Sequence, residues 1–123
     1  MIYTRKLKGI IPVVVTTLNK DQSIDIASQK KLINFLSEKK VGGFWCLGTG
    51  SEDMNLSFEK RVTAAKVLCE SNAGKLPLIL GAGFYCFEDT INFIEETNNL
   101  VFDSYHTFIS AYDKYHYYKD MTK

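Results

Sequence analysis

The feature that most constrains this chain is a recurrence. Four times, roughly every 32 residues, an apolar run of strand length hands over to a short loop. The runs are residues 10–16, 41–47, 76–81 and 103–109; the last is the poorest, with His106 and Thr107 inside it. The first three are near-continuous in Val, Ile, Leu and Phe, with no alternation of apolar and polar. Such runs suit strands buried on both faces, as in a parallel sheet. Parallel neighbours need a crossover between them, and the intervening segments have the length and period of helices. Four βα units joined by short connections fit a barrel or an open, flavodoxin-like doubly wound sheet equally well.

Local signals place the elements. Pro12 counts against a middle position in a hydrogen-bonded ladder, and Asn19-Lys20-Asp21 reads as a turn. Asp25 is placed to cap a first helix, whose apolar side is Ile26, Leu32, Ile33 and Leu36. Lys30, Lys31, Glu38 and Lys39 form its wet side, and the helix is expected to end at Lys39 and Lys40, where cations meet its negative end. Gly42 and Gly43 are expected to let a helix pack closely, and Trp45 to sit in the core or between elements. Ser57 opens a second helix with Glu59 in its first turn. Val62, Ala65, Val67 and Leu68 are its apolar side, with Lys60, Arg61 and Lys66 facing elsewhere; Asn72-Ala73-Gly74-Lys75 closes it. Ile91 and Ile94 mark a short third helix that ends at Asn98-Asn99.

Composition excludes several classes of function. The chain has 123 residues, 46% hydrophobic and 24% charged, as expected of one modest globular domain. A net charge of +1 gives no footprint for nucleic acid or for an anionic membrane, and no run reaches the length of a membrane span. Three cysteines cannot all pair within one chain, so a reducing, cytoplasmic setting is expected. The apolar run after the basic amino terminus is short, broken by Pro12 and followed by no cleavage signal, so no signal peptide is read there. The two histidines and three cysteines have no metal-ligand spacing, and no metal or cofactor is expected. Cys46, Cys69 and Cys86 lack an activating base by motif, and His106 and His116 are not placed like a relay.

The candidate site is the loop Gly48-Thr49-Gly50-Ser51-Glu52-Asp53. It follows an apolar strand and precedes a helix, the position at which parallel sheets bind ligands. Thr49 and Ser51 offer hydroxyls, and Gly50 lets a ligand approach its backbone N–H. That set suits a carboxylate or phosphate oxygen; a plain βα turn is the competing reading. Thr16 and Thr17 end the first strand and either join the site or cap backbone groups. Glu52 and Asp53 are adjacent, so they do not aim at one point and read as loop or helix-start residues. Gly81-Ala82-Gly83 lacks the third glycine of a dinucleotide fingerprint. Tyr115, Tyr117 and Tyr118 would serve as a stacking platform only on a more basic chain.

Taken in order, these motifs resemble the amino-terminal part of the dihydrodipicolinate synthase and N-acetylneuraminate lyase family, the pyruvate-dependent class I aldolases. Residues 9–17 look like that family's first strand, with Thr17 where a proline is usual. Gly48-Thr49-Gly50-Ser51-Glu52, followed by Leu56-Ser57, looks like its Gly-Thr-Thr-Gly-Glu loop followed by Leu-Ser. Gly81-Ala82-Gly83 matches the end of its third strand. Ser110-Ala111-Tyr112-Asp113-Lys114 falls where the family has Pro-Tyr-Tyr-Asn-Lys. The four motifs keep the family's order and spacing and span nearly the whole chain.

The resemblance implies the amino-terminal half of a (β/α)8 barrel, about four βα units, and a chemistry in which a lysine forms a Schiff base with pyruvate or another 2-keto acid. It implies that Thr49 takes part in proton transfer and that Thr49, Gly50 and Ser51 hold the substrate carboxylate. Gly50 stands where the family often has a second threonine, so only its N–H serves, and Ser51 partly replaces the lost hydroxyl. Tyr112 falls on the tyrosine that, in the synthase branch, reaches across a dimer. Family members run to about 300 residues, with the Schiff-base lysine on the sixth strand and the main catalytic tyrosine on the fifth. The expectation is a fragment of such an aldolase that is inactive alone, with a homo-oligomer or a carboxyl-terminal half as its partner. The alternative is a non-catalytic half-barrel with a structural or partner-binding role.

Overall fold

In the computed structural model, which describes residues 5–108, the four apolar runs become four parallel strands. These are β1 (Val13–Val14), β2 (Phe44–Cys46), β3 (Leu78–Gly81) and β4 (Ser104–His106). Helices α1 (Ile26–Ser37), α2 (Phe58–Asn72) and α3 (Phe87–Thr97) connect them. Strand order is β1-β2-β3-β4, each strand beside its sequence neighbour. A doubly wound sheet reverses its order partway along; a barrel wall does not. The flavodoxin-like alternative is therefore wrong, and the described chain is the amino-terminal half of a (β/α)8 barrel.

The register decides which side chains are buried. Val13, Trp45, Ile79 and Ser104 are successive partners across the sheet, as are Val14, Cys46, Leu80 and Tyr105. Alternation along each strand sends the two sets to opposite faces. Val14, Phe44, Cys46, Leu78 and Leu80 pack under the helices with Ile33, Ala65, Leu68, Cys69 and Phe93. On the other face Val13, Val15 and Trp45 are 49%, 55% and 39% exposed. Helices on one side and a barer inner face are what a barrel wall looks like.

The helix starts follow the sequence signals. Asp25 accepts a hydrogen bond from the Ser28 N–H at 2.9 Å, and Ser57 one from the Lys60 N–H at 3.3 Å. At the far end of α2, Ala73 takes a left-handed conformation (φ 47°) and its N–H bonds the Cys69 carbonyl. α1 stops at Ser37, short of the expected Lys39 and Lys40, and has no basic residue in its last turn.

The strands are shorter than the apolar runs. Pro12 has no N–H to donate, so the ladder starts at Val13, although the Ile10 and Pro12 carbonyls already accept from Gly42 and Trp45. Gly42 and Gly43 admit strands, not the helix expected of them. A Cβ on Gly42 would lie 1.5 Å from the Lys8 carbonyl oxygen, and one on Gly43 2.6 Å from that of Pro77.

At the amino end of the sheet, Asp103 accepts from Arg5 Nε (2.7 Å), Arg5 Nη2 (2.8 Å) and the Leu78 N–H (2.9 Å). Arg5 also donates to the carbonyls of Gly74 and Leu76. Burial pushes the Asp103 carboxyl up, but the bonds from Arg5 and Leu78 and the charge of Arg5 outweigh it and hold it below the usual range.

Asp103→Ala is expected to cost about 2–3 kcal/mol at neutral pH, the worth of hydrogen bonds to a charged group. A carboxyl depressed in the folded state stabilises fully above its unfolded pKa of about 3.9, and the contribution fades as pH falls through the folded value. Urea unfolding of both proteins, at neutral pH and again in acid, should show the gap closing in acid. A gap that stays constant would assign Asp103 no role as an ion.

Candidate functional site

The carboxyl ends of the strands meet at a hollow of about 440 Å3. Val13, Trp45 and Phe108 form its apolar wall; Thr49, Asp53 and His106 bring polar groups; Gly48, Gly50 and Gly83 bring bare backbone. Volume and lining are those of a small-molecule site.

The loop after β2 is two short 3-10 turns, Thr49–Ser51 and Asp53–Asn55, separated by Glu52. Leu47 (φ 55°) and Glu52 (φ 58°) are left-handed, a conformation that side chains disfavour. The loop satisfies its own backbone: the Ser51, Glu52, Asn55 and Leu56 N–H groups bond carbonyls three residues back, at 2.8–3.1 Å. The turn at Leu47 pushes its carbonyl against β3, where a Cβ on Gly81 would lie only 1.7 Å from that oxygen. Glycine at 81 is thus a condition for the loop to leave β2 as it does.

Thr49 and Gly50 are exposed at the rim of the hollow. Ser51 is buried (1% exposed), its Oγ has no partner, and it is not among the lining residues. Tyr112 lies outside the described residues, as do the loop and tail around it. Thr17 takes the capping role: its Oγ donates to the Asp25 carbonyl (2.9 Å) and its N–H to Gln29 Oε1 (2.9 Å).

Beneath the loop lies a buried ion pair. Asp53 Oδ2 and Arg61 Nη2 are 3.0 Å apart, each side chain 2% exposed. The contact is close but not aligned as a hydrogen bond; Asp53 Oδ1, Arg61 Nε and Arg61 Nη2 lack hydrogen-bond partners. The guanidinium lies 3.6 Å from the Phe84 ring centroid and 5.6 Å from that of Phe93. Burial raises the Asp53 carboxyl and lowers the Arg61 guanidinium, and their attraction opposes both shifts. Arg61 thus touches both the loop after β2 and, through Phe84, the loop after β3.

His106 closes the floor. Its ring is 5.0 Å from that of Trp45, and its Nε2 is buried without a partner. Burial lowers its pKa, Asp53 opposes that, and Arg61 adds to it, so the neutral ring is favoured. A Cβ on Gly48 would stand 3.2 Å from Trp45 Nε1 and 3.3 Å from His106 Nε2, so the ring pair packs tightly against that glycine.

Four contributors escape the sequence reading. Trp45 is not a core residue, because it faces inward between the helix-facing Phe44 and Cys46. Arg61 does not face solvent. Its spacing to Ala64, Ala65 and Leu68 already puts it on the buried stripe of α2, a signal its charge obscures. Asp53 opens the second turn of the loop, as expected, but is also the counter-ion of Arg61, which its place in the loop does not reveal. His106 carries no local motif; only the pairing of β4 brings it to the site. Cys46 and Cys69 are buried thiols, the latter pushed up to about 12 by burial and Glu70.

A larger depression of about 750 Å3 lies by α2 and α3, lined by Glu59, Asp89, Glu95 and Glu96 with Asn92, Asn98, Asn99 and Phe58. It is acidic and away from the strand ends, so it does not suit an anion. Among the described residues no group of three His, Cys, Asp or Glu is placed to hold a metal ion, and no helix is long and apolar enough to cross a membrane.

The sequence pattern of the Dihydrodipicolinate synthetase family matches residues 6–120. A 4-hydroxy-tetrahydrodipicolinate synthase of Methanosphaerula palustris is 32% identical over 95 residues, 76% of this chain and 33% of that protein. The N-acetylneuraminate lyase structure from Mycoplasma synoviae superposes with a TM-score of 0.80 at 32% identity, over 94% of this chain and 43% of that one. YagE, an Escherichia coli prophage protein of the dihydrodipicolinic acid synthase family solved in complex with pyruvate, superposes with a TM-score of 0.81 at 24% identity, over 91% of this chain and 40% of that one. The chain spans about a third of the synthase and less than half of either structure.

Removing one member of a buried ion pair strands the other. Arg61→Met and Asp53→Leu are each expected to cost about 3–5 kcal/mol, and the double substitution clearly less than their sum. Thermal or urea unfolding of the four proteins measures the coupling. Strictly additive losses would show that the two charges do not support each other.

Proposed function

We propose, from the premise that this chain belongs to the dihydrodipicolinate synthetase family, that the hollow at the strand ends is the carboxylate-binding part of a pyruvate-dependent aldolase site. The observation that carries this reading is the position of Thr49 and Gly50 at the rim of a small hollow, on the loop after β2. A hydroxyl and a backbone N–H suit a carboxylate oxygen. The Thr49 hydroxyl and the Gly50 N–H hold the carboxylate of a 2-keto acid such as pyruvate, while Ser51 lies below the loop with its hydroxyl buried and unpartnered. Thr49 also passes protons to the reacting carbons, with Tyr112 as a second hydroxyl by its place in the family motif. Trp45, Val13 and Phe108 shield the apolar end of the acid from water.

The whole protein's activity in this reading is a class I aldolase reaction, as a lyase or a synthase. A lysine amine adds to the keto carbon and water leaves, giving a Schiff base whose methyl carbon is then activated. The described strands carry no lysine. The lysines described elsewhere are on helices, loops or the amino-terminal segment, exposed except for half-buried Lys60. The described residues therefore bind the acid without activating it, and the amine comes from a later strand of the same barrel. A second reading, a non-catalytic half-barrel that associates with a partner, is favoured by the exposed apolar groups Val13, Val15 and Trp45 on the inner face.

Pyruvate titrated into the 15N-labelled chain should move the Thr49 and Gly50 amide resonances. Thr49→Val should weaken binding about tenfold, the loss of one hydrogen bond to a charged acceptor. Borohydride added with pyruvate should leave the intact mass unchanged. Resonances at 49 and 50 that never respond would remove the carboxylate assignment. A stoichiometric reduced adduct would show that this chain supplies its own amine.

A further inference from the structure

We propose, resting on the carboxylate reading of Thr49 and Gly50, that the floor of the same hollow is a hydroxyl-binding subsite, in which Asp53 and His106 hold a hydroxyl borne by the acid whose carboxylate sits at the rim. The ligand is then a hydroxylated 2-keto acid, and pyruvate fills the site only in part.

Among the described residues, the buried side-chain atoms without a hydrogen-bond partner are Ser51 Oγ, Asp53 Oδ1, Arg61 Nε, Arg61 Nη2 and His106 Nε2. Leaving such an atom unmatched costs free energy, which a group that reaches it recovers. Ser51 and Arg61 are not among the residues that line the hollow, whereas Asp53 and His106 are. The hollow therefore brings a ligand to two side chains with unmatched atoms, one a carboxylate oxygen and the other an imidazole nitrogen.

Their chemistry specifies the ligand group. Asp53 Oδ2 lies 3.0 Å from Arg61 Nη2, which leaves Oδ1 as a free acceptor. The Arg61 charge offsets that of Asp53, so the floor does not repel an acid. Burial favours the neutral His106 ring, which carries its proton on one nitrogen. With Nε2 protonated, a hydroxyl accepts from the imidazole and donates to Oδ1, matching both atoms at once. A second carboxylate would face Oδ1 with no proton to share, and an ammonium would compete with Arg61 for the one carboxylate.

The ring is held in place for this contact. It stacks at 5.0 Å on Trp45, and Nε2 is wedged against Gly48 and Gly81, where a Cβ would come within 3.3 and 2.8 Å of it. Gly48 immediately precedes Thr49, so floor and rim are adjacent along the loop. Neighbouring Cα atoms are about 3.8 Å apart, a span covered by a short acid whose hydroxyl lies a few bonds from its carboxylate. Val13, Trp45 and Phe108 border the carbons between.

Hydroxypyruvate and pyruvate, titrated separately into the 15N-labelled chain, test the subsite. Hydroxypyruvate should bind about tenfold more tightly, the worth of an added hydrogen bond to a charged group. It should move the Asp53 and His106 amide resonances together with those of Thr49 and Gly50. His106→Phe, which keeps a ring beside Trp45, should bring the two affinities together. If that variant loses its helical circular dichroism, the Cε1–H resonance of His106 in the unaltered chain decides: it should shift with hydroxypyruvate and not with pyruvate. Equal affinities, with Thr49 and Gly50 responding to both acids, would overturn the subsite, assign the floor to water and leave the carboxylate reading intact. A preference that survives His106→Phe, or a His106 ring that answers both acids alike, would also overturn it. Thr49 and Gly50 silent to both acids would instead remove the carboxylate reading, and the subsite with it.

Discussion

The structure depends on one constraint: four parallel strands must bury one face under the helices that connect them. Crossovers between adjacent parallel strands put α1, α2 and α3 on the same side. That side then takes every second strand residue, and Val14, Phe44, Cys46, Leu78 and Leu80 become the core. The remaining residues, Val13 and Trp45 among them, face the barrel interior. The register that builds the core thus also selects what the interior offers to a ligand.

The carboxyl end carries the local tension. Leu47 and Glu52 hold left-handed backbones, and Gly81 is glycine because the Leu47 carbonyl and the His106 ring occupy the space of a side chain. The buried Asp53–Arg61 pair lies under this loop with several polar atoms unmatched. Each ion is disfavoured by loss of water and retained by the other. Arg61 stacks on Phe84, so one side chain ties α2 to the loops after β2 and β3. The opposite end of the sheet is held by Arg5 and Asp103, where an exposed chain segment meets the start of β4. Charges therefore tie both ends of the wall, while the middle is apolar packing.

Much of the wall is legible in the residues. The four apolar runs, the Asp25 and Ser57 caps and the glycine loop after β2 each have a short-range cause. So does the place of Thr49 and Gly50, which a strand-loop-helix pattern puts at the strand ends. The extent of the strands is not legible, because apolar composition continues past the paired register, as at residues 10–12 and 76–77, where only carbonyls still bond the neighbouring strand. The burial of Arg61 is half-legible: its spacing on α2 says buried and its charge says exposed. Only the counter-ion Asp53, eight residues earlier on another element, decides between them.

What the sequence determined by itself is the repeat of strand, loop and helix, and the hydroxyl-bearing loop with its family likeness. These depend on neighbours within a few residues, through propensity, capping and the freedom of glycine. Strand order and the inward turn of Trp45 were decided only by the tertiary structure, as were the meeting of His106 with Gly48 and Gly81 and the ion pair beneath the loop. Each of these requires residues far apart in the chain to be brought into register. A one-residue shift in that register would exchange every inward side chain for an outward one, and no local pattern specifies it.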